Sequence, residues 1–223
     1  MSSGRVVRLA MLASGSGTNF QAIVDAIEAG RLQARAEVLL SDNASAPALE
    51  RARRHGIPTV VLDSKAFADR KAFDQQIVQE LAPRGIDLIA LAGYMRLVGP
   101  ELIQAYPARI MNIHPALLPA FPGLHGQRKA LAYGVKVSGC SVHFVDEGVD
   151  TGPLIIQAVV PVYDEDTEES LAARILHEEH RIYPQAIQLF AEGRLVVEGR
   201  RVRVSGHPRP PATALANPTL VGF

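Results

Sequence analysis

Apolar residues along this chain follow two rhythms that alternate. Short apolar blocks at 6–12, 36–40, 59–62, 87–92 and 110–113 are each bounded by Gly, Pro, Asn or Asp, the signature of buried strands. Between them the spacing lengthens to that of helices. Phe20, Ile23, Val24 and Ile27 fall at i, i+3, i+4 and i+7, and Gly30 supplies a stop. Pro47 to Arg54 reads as a short helix closed by His55-Gly56, and Phe73, Ile77 and Leu81 mark a helix over 69–81 ahead of Pro83 and Gly85. A further short helix is expected over 99–106. Strands alternating with helices predict an α/β chain with a doubly wound, mostly parallel sheet and right-handed crossovers. Ligands in such sheets bind outside the carboxyl ends of the strands.

After a helical stretch at 125–133 the pattern changes. Residues 137–145 alternate and are rich in β-branched side chains, 146–152 are polar, and 153–162 form a second strand pattern. This hairpin-like pair predicts an antiparallel extension of the sheet. Asp166 or Thr167 can cap a long helix carrying Leu171, Ile175, Ile182, Ile187 and Phe190, with Pro184 as a point of kinking. Residues 195–197 and 202–204 read as a final short hairpin around Gly199-Arg200. From Gly206, with Pro208, Pro210 and Pro211, the chain reads as an irregular tail. No repeat or linker interrupts it, so 1–223 reads as a single domain.

Composition narrows the classes. A chain of 223 residues with 48% apolar and 21% charged residues is ordinary for a globular domain with one core. Lys+Arg and Asp+Glu both total 23, so no global field points to nucleic acid or an anionic membrane, and any anion site must be made locally. The single Cys140 excludes an intramolecular disulfide and a thiolate cluster, and its apolar neighbours mark it as a small core residue of a strand. Arg5 and Arg8 interrupt the first apolar run, which is too short to span a bilayer; the chain reads as cytoplasmic.

Three places carry candidate chemistry. The run Arg109-Ile110-Met111 ends in Asn112, Ile113, His114 and Pro115. Asn112 and His114 are two apart and share a strand face, where an amide donor and an imidazole suit a carbonyl and its oxyanion. The same pair also fits a strand end satisfied by turn backbone. The loop Ser14-Gly15-Ser16-Gly17-Thr18-Asn19 joins a strand to a helix N-terminus, a natural anion site. Phe20 stands where a dinucleotide fingerprint needs its third Gly, and no Lys follows as in a P-loop, so the loop fits a monophosphate or a bare tight turn. Gly148-Val149-Asp150-Thr151-Gly152-Pro153 carries a carboxylate that would raise the pKa of His114 and orient it if the two meet, or serve an Asx-turn if they do not. His177-Glu178-Glu179-His180 is not H-E-x-x-H and lacks a third ligand, which favours a solvated helix face and no metal. His143, between Val142 and Phe144, is expected on the outer face of its strand, and His55 at a helix C-terminus.

Taken together, Asn112-Ile113-His114-Pro115, Leu117-Leu118-Pro119 and Val149-Asp150-Thr151-Gly152-Pro153 resemble the folate-dependent formyltransferases. The 14–19 loop, Ala92-Gly93-Tyr94-Met95-Arg96 and His180-Arg181-Ile182-Tyr183-Pro184 narrow the resemblance to the branch acting on glycinamide ribonucleotide, over nearly the whole chain. The resemblance implies a Rossmann-like fold and transfer of a formyl group from 10-formyltetrahydrofolate, as co-substrate, to the amine of N1-(5-phospho-β-D-ribosyl)glycinamide in de novo purine biosynthesis. It assigns Asn112, a protonated His114 and Asp150 to catalysis, and Gly17, Thr18 and Asn19 to the phosphate. Glu179 falls to the ribose. Arg70, Met95, Arg96, Leu97, Val98 and Asn112 fall to the folate, together with the loop Asp146, Glu147, Gly148, Val149 and Asp150. It implies small-molecule partners, no nucleic acid, membrane or metal, and leaves monomer or homodimer open. The alternatives are a formyltetrahydrofolate hydrolase, whose relatives usually carry an N-terminal regulatory domain, and a phosphate-metabolite sensor without catalysis. A tRNA-directed relative would add a C-terminal RNA-binding domain, for which the residues after the long helix are too few; a domain has ~50 residues or more.

Overall fold

The computed structural model describes residues 6–206. Among them nine strands form one sheet in the order β3-β2-β1-β4-β5-β6-β7-β9-β8. These are β1 (Val7–Leu12), β2 (Ala34–Ser41), β3 (Thr59–Val61), β4 (Leu88–Leu91), β5 (Ile110–His114), β6 (Val137–Phe144), β7 (Leu154–Pro161), β8 (Leu195–Glu198) and β9 (Arg201–Val204). The helices are α1 (Thr18–Glu28), α2 (Pro47–Arg54), α3 (Arg70–Leu81), α4 (Pro100–Ala105), α5 (Gly126–Tyr133) and α6 (Glu168–Ala191). Strands β3, β2, β1, β4 and β5 pair in parallel, and β6 and β7 add the expected antiparallel extension. The chain order reverses between β1 and β4, which opens a crevice at their carboxyl ends.

Alternation along each strand sends its side chains to two separate cores. Leu9, Met11, Leu88, Ala90, Met111, Ile113, Cys140 and Val142 pack with Phe20, Ile23, Leu49, Leu171, Ile175 and Tyr183 from α1, α2 and α6. Ala10, Leu12, Ile89, Leu91 and Ile110 pack on the opposite face with Phe73, Ile77, Leu81 and Leu102 from α3 and α4. Ile110 fixes the parity of β5. Asn112 and His114, even-numbered like Ile110, therefore face the α3 and α4 side. Cys140 is buried as expected, and burial pushes its thiol up to about 12.

Helix α6 begins with a capping box: the Thr167 hydroxyl accepts from Ser170 N–H, and the Ser170 hydroxyl accepts from Thr167 N–H. Glu168 and Glu169 in the first turn complement the helix dipole. The helix continues through the buried Pro184 to Ala191. Next to it Tyr183 is fully buried, and its hydroxyl lies 3.1 Å from the Leu91 carbonyl and 2.9 Å from the Met111 carbonyl. One side chain thus joins α6 to the last residue of β4 and to the residue before Asn112.

The final hairpin is β8 and β9, and it does not stand apart: a single parallel pair, Leu154 with Arg201, docks it on the edge of β7. Among the described residues no helix is long and apolar enough to cross a membrane. The proline-rich tail beyond Gly206, His207 included, lies outside the described residues, as does Arg5. Tyr183→Phe keeps the ring in place and removes only the hydroxyl. It is expected to lower unfolding free energy by about 1–2 kcal/mol in urea melts. A loss under ~0.5 kcal/mol would show that the sheet ladder alone satisfies both carbonyls.

Candidate active site

Strand β5 outlasts its parallel neighbour. Leu91, the last residue of β4, pairs with Asn112, and β5 runs on to His114. Its exposed flank is covered from the other side by β6, which pairs Asn112 with His143 and His114 with Ser141. The polar loop after β6 then folds back over this face and lays Asp150 on it. The His114 Nδ1 to Asp150 Oδ2 distance is 3.3 Å. Gly123 N–H donates to the same oxygen at 2.8 Å, and Asn112 Nδ2 reaches Oδ1 at 3.4 Å. Asn112, His114 and Asp150 are therefore brought together as the sequence led us to expect.

The loop is shaped to hold this position. Asp150 adopts a left-handed backbone (φ 54°), a conformation that Asp tolerates better than most residues. Thr151 Oγ1 donates to Asp146 Oδ1 at 2.6 Å, and Gly148 N–H donates to it at 3.1 Å, closing the turn that precedes Asp150. A Cβ at residue 152 would collide with the Phe144 carbonyl, so the return strand needs glycine there.

His143 corrects an expectation. Rather than lying on an outer face, it is 2% exposed, with Nε2 at 3.2 Å from Asn112 Nδ2 and 3.6 Å from Asp150 Oδ1. The alternation with Val142 and Phe144 does turn it away from the α6 core. That second face, however, is roofed by the Asp150 loop. The Phe121 carbonyl at 2.9 Å from His114 Nε2, the Gly123 N–H and the buried Ser141 hydroxyl are further parts that no side-chain pattern announces.

Burial dominates the electrostatics. It would raise the Asp150 carboxyl, but His143 beside it, the hydrogen bond from Gly123 N–H and the neighbouring His114 together bring it down to about 2. Burial lowers the pKa of His114, and the Asp150 charge and the Phe121 carbonyl only partly oppose it. Burial thus opposes the imidazolium that the resemblance implies, while the acceptors at both ring nitrogens favour it. The ring lies between two acceptors, Asp150 and the Phe121 carbonyl. A neutral imidazole carries one N–H and can serve one of them, whereas an imidazolium serves both. Such a ring is built to accept a proton when one is offered.

A second half-site occupies the opposite sheet face at the same edge. Gly17 (φ 72°) ends the 14–19 loop, and a Cβ there would come within 2.6 Å of Ala48 Cβ. Gly17 is also the N-cap of α1 and offers no side-chain cap, so Thr18 and Asn19 begin the helix with backbone donors open to an anion. Asn19 Nδ2 donates to Glu179 Oε2 at 2.7 Å, both residues are buried, and Asn19 Oδ1 has no partner. Burial raises the Glu179 carboxyl, with the Asn19 bond opposing. The 177–180 run therefore divides: His177 is exposed, Glu178 pairs with Arg181 at 2.8 Å, and Glu179 turns inward to Asn19. No group of three His, Cys, Asp or Glu able to hold a metal occurs among the described residues.

Of the residues expected to hold folate, 95–98 follow the carboxyl end of β4, the neighbour of β5, and 146–150 form the loop that carries Asp150. Met95 N–H donates to Ser14 Oγ at 2.9 Å, tying the 95–98 loop to the anion loop. Arg96 donates to Ser64 Oγ at 2.9 Å and covers the Phe73 ring, while Gly99 N–H donates to the buried Asp74 at 2.6 Å. Arg70 opens α3 close enough to Asp74 to oppose the rise that burial gives its carboxyl. Met95, Leu97 and Val149 leave large apolar surfaces exposed, and Val98 packs against the α3 core. Exposed apolar side chains on two loops fit a planar aromatic ligand. Asp146 is spent inside its own loop and does not reach the cluster, and Glu147 neighbours it there.

A family profile described as formyl transferase matches residues 7–187. The chain is 42% identical over 205 residues to phosphoribosylglycinamide formyltransferase of Escherichia coli, covering 92% of this chain and 97% of that protein. It is 45% identical over 181 residues to the protein of the same name from Bacillus subtilis, covering 81% and 93%. Among solved structures, glycinamide ribonucleotide transformylase 1 of Symbiobacterium toebii superposes with a TM-score of 0.89 at 57% identity, covering 91% of this chain and 99% of that one. The Asn112 and His114 end of β5, the Asp150 loop and the 14–19 loop all fall inside the matched span, and the chain belongs to the formyl transferase family.

Proposed function

We propose that this chain transfers the formyl group of 10-formyltetrahydrofolate to the amine of N1-(5-phospho-β-D-ribosyl)glycinamide, releasing tetrahydrofolate and the N-formyl product. The observation that carries the reading is the contact of His114 with Asp150 beside Asn112, at an edge flanked by an anion loop on one sheet face and apolar loops on the other. Similarity to phosphoribosylglycinamide formyltransferases over 92% of this chain supports the choice of substrates. Gly17, Thr18 and Asn19 take the phosphate, and Glu179 takes the ribose. Arg70 and 95–98 hold the folate, with 146–150 folded over its pterin. The setting is cytoplasmic, and the partners are small molecules.

The chemistry is direct transfer. The amine nitrogen bonds to the formyl carbon, the bond from that carbon to the folate nitrogen breaks, and one proton passes from amine to folate nitrogen. Asn112 Nδ2 donates to the oxyanion. His114, neutral at rest, takes the amine's proton, and Asp150 and the Phe121 carbonyl stabilise the imidazolium that results. It then returns the proton toward the leaving nitrogen. Orientation of two bound substrates supplies much of the acceleration. An oxyanion donor adds roughly 10²–10³ and proton transfer about 10²–10⁴.

His114→Ala and Asp150→Asn are each expected to lose about 10² or more in turnover with little change in substrate affinity, followed by folate absorbance. Near-normal turnover in either variant would sink the assigned roles. The same assay without the ribonucleotide separates the alternatives, since consumption of the folate alone means a hydrolase, and none with either substrate means a sensor.

The pKa directions give two pH predictions. A general base must be neutral, so the acid limb of turnover should lie below pH ~6.5, the ordinary imidazole value. Asp150→Asn removes a charge that raises His114 and should move that limb lower still. For stability, an unfolded carboxyl near 3.8 binds protons before the folded Asp150 does at about 2. Its contribution is therefore complete above about pH 4 and is lost as pH falls toward 2. The deficit of Asp150→Asn, on the order of 1–3 kcal/mol at neutral pH, should shrink over that window in urea melts.

A further inference from the structure

We infer that Arg51 supplies the positive charge that fixes the substrate's phosphate on the α1 loop, and so sets the preference for a ribonucleotide over the free glycoside. The inference rests on the transferase reading for its substrate and on the geometry of α2 for its residue. A phosphate monoester carries about −1.5 to −2 charges at neutral pH. The loop that receives it, Ser14 to Asn19, is neutral, and the chain as a whole carries no net charge. Neutral N–H donors and half a helix charge leave most of that dianion without a counter-charge.

Helix α2 brings one. Its first turn docks on the loop through Ala48 N–H, which donates to the Gly15 carbonyl at 3.1 Å. One turn on, on the same helix side, Arg51 Nε donates to the Ser16 carbonyl at 2.9 Å. The other side chain bonded to these loop carbonyls, Asn43 to Ser14 at 3.2 Å, is uncharged. Arg51 also lines a cavity of about 330 Å³ with Thr18, Gln21, Asp25, Arg31 and His180. A long contact from Nη1 to Gln21 at 3.4 Å spends little of the guanidinium fork there. Asp25, the acid of that cavity, accepts from Gln21 Nε2 at 2.8 Å. The guanidinium is thus anchored through Nε to the loop that holds the phosphate, and its terminal nitrogens remain for an anion at the cavity's Thr18 end. Anchoring of this kind reduces the entropy lost when an anion binds.

The test compares wild type with Arg51→Met and Arg51→Lys in two assays. In formyl transfer, Arg51→Met should raise KM for glycinamide ribonucleotide about 10- to 100-fold, the range expected for a lost charged hydrogen bond. Turnover and KM for the folate should stay within about threefold. Arg51→Lys should recover most of the loss, and the phosphate-free glycinamide riboside should be used equally by all three proteins. In calorimetric titration with ribose 5-phosphate, Kd should rise by a similar factor in Arg51→Met. An unchanged KM and Kd in Arg51→Met would overturn the inference. So would a Lys variant as impaired as Met, or an equal loss with the riboside, since either assigns Arg51 to holding the Ser16 carbonyl alone. A wild type that binds ribose 5-phosphate through Arg51 yet transfers no formyl group would sink the transferase reading and leave the anion site standing.

Discussion

The Asp150 carboxylate is kept ionised in a largely buried position, and the local architecture follows from what that requires. A buried carboxylate tends to take up a proton unless charge and hydrogen bonds oppose it. Here Gly123 N–H, Asn112, His114 and His143 surround it, and its pKa falls to about 2 in spite of burial. Each partner imposes a constraint elsewhere. Gly123 lies in the loop that carries the Phe121 carbonyl, Asn112 and His114 require β5 to outlast β4, and His143 requires β6 to pair antiparallel in one register. The left-handed turn at Asp150 and the bare backbone at Gly152 are what it takes to deliver the carboxylate.

The sheet itself separates two tasks. On the α1 and α6 face, glycine backbone and the Asn19 and Glu179 pair offer polar groups to a phosphorylated sugar. On the α3 and α4 side, where Asn112, His114 and Asp150 meet, Met95, Leu97 and Val149 leave apolar surface exposed. The two substrates can then approach one edge from opposite sides of a rigid wall, with the reacting groups meeting where β5 projects. Tyr183 braces that edge from beneath by reaching the β4 and β5 carbonyls at once.

Much of this was legible in the sequence because the elements are locally consistent. Pro47 to Arg54 appears with the bounds its punctuation gives, and α3 begins one residue after its Asp69 cap. Asn112 and His114 sharing a strand face follows from period two, and Asp150 stood out for its Gly-flanked loop. His143 was misplaced because alternation fixes only which face a residue takes. What covers that face depends on a loop folding back, which no local pattern encodes. The electrostatics of His114 are half legible for a related reason: the carboxylate partner is visible in sequence, whereas the burial that opposes its charge is not. A charge run such as 177–180 usually marks a solvated face, and nothing local sets Glu179 apart from its neighbours. Its inward turn depends on Asn19, distant in sequence. The docking of β9 on β7 rests on one residue pair, too little to leave a pattern.

The resting hydrogen bonds of Asn112 bear on how the site gains from the reaction rather than from binding. Its Nδ2 reaches His143 at 3.2 Å and Asp150 at 3.4 Å, both at the long end for N–H donors. A neutral carbonyl oxygen placed there would compete with a carboxylate for the same protons and gain little. An oxyanion carries full charge and forms a shorter, stronger bond, so the donor's allegiance changes only as negative charge develops. Under the proposed mechanism the same would hold for His114, whose second proton would arrive from the amine as that charge forms. In that mechanism weak resting contacts would be exchanged for strong ones late along the reaction, which would lower the barrier without tightening the substrate complex.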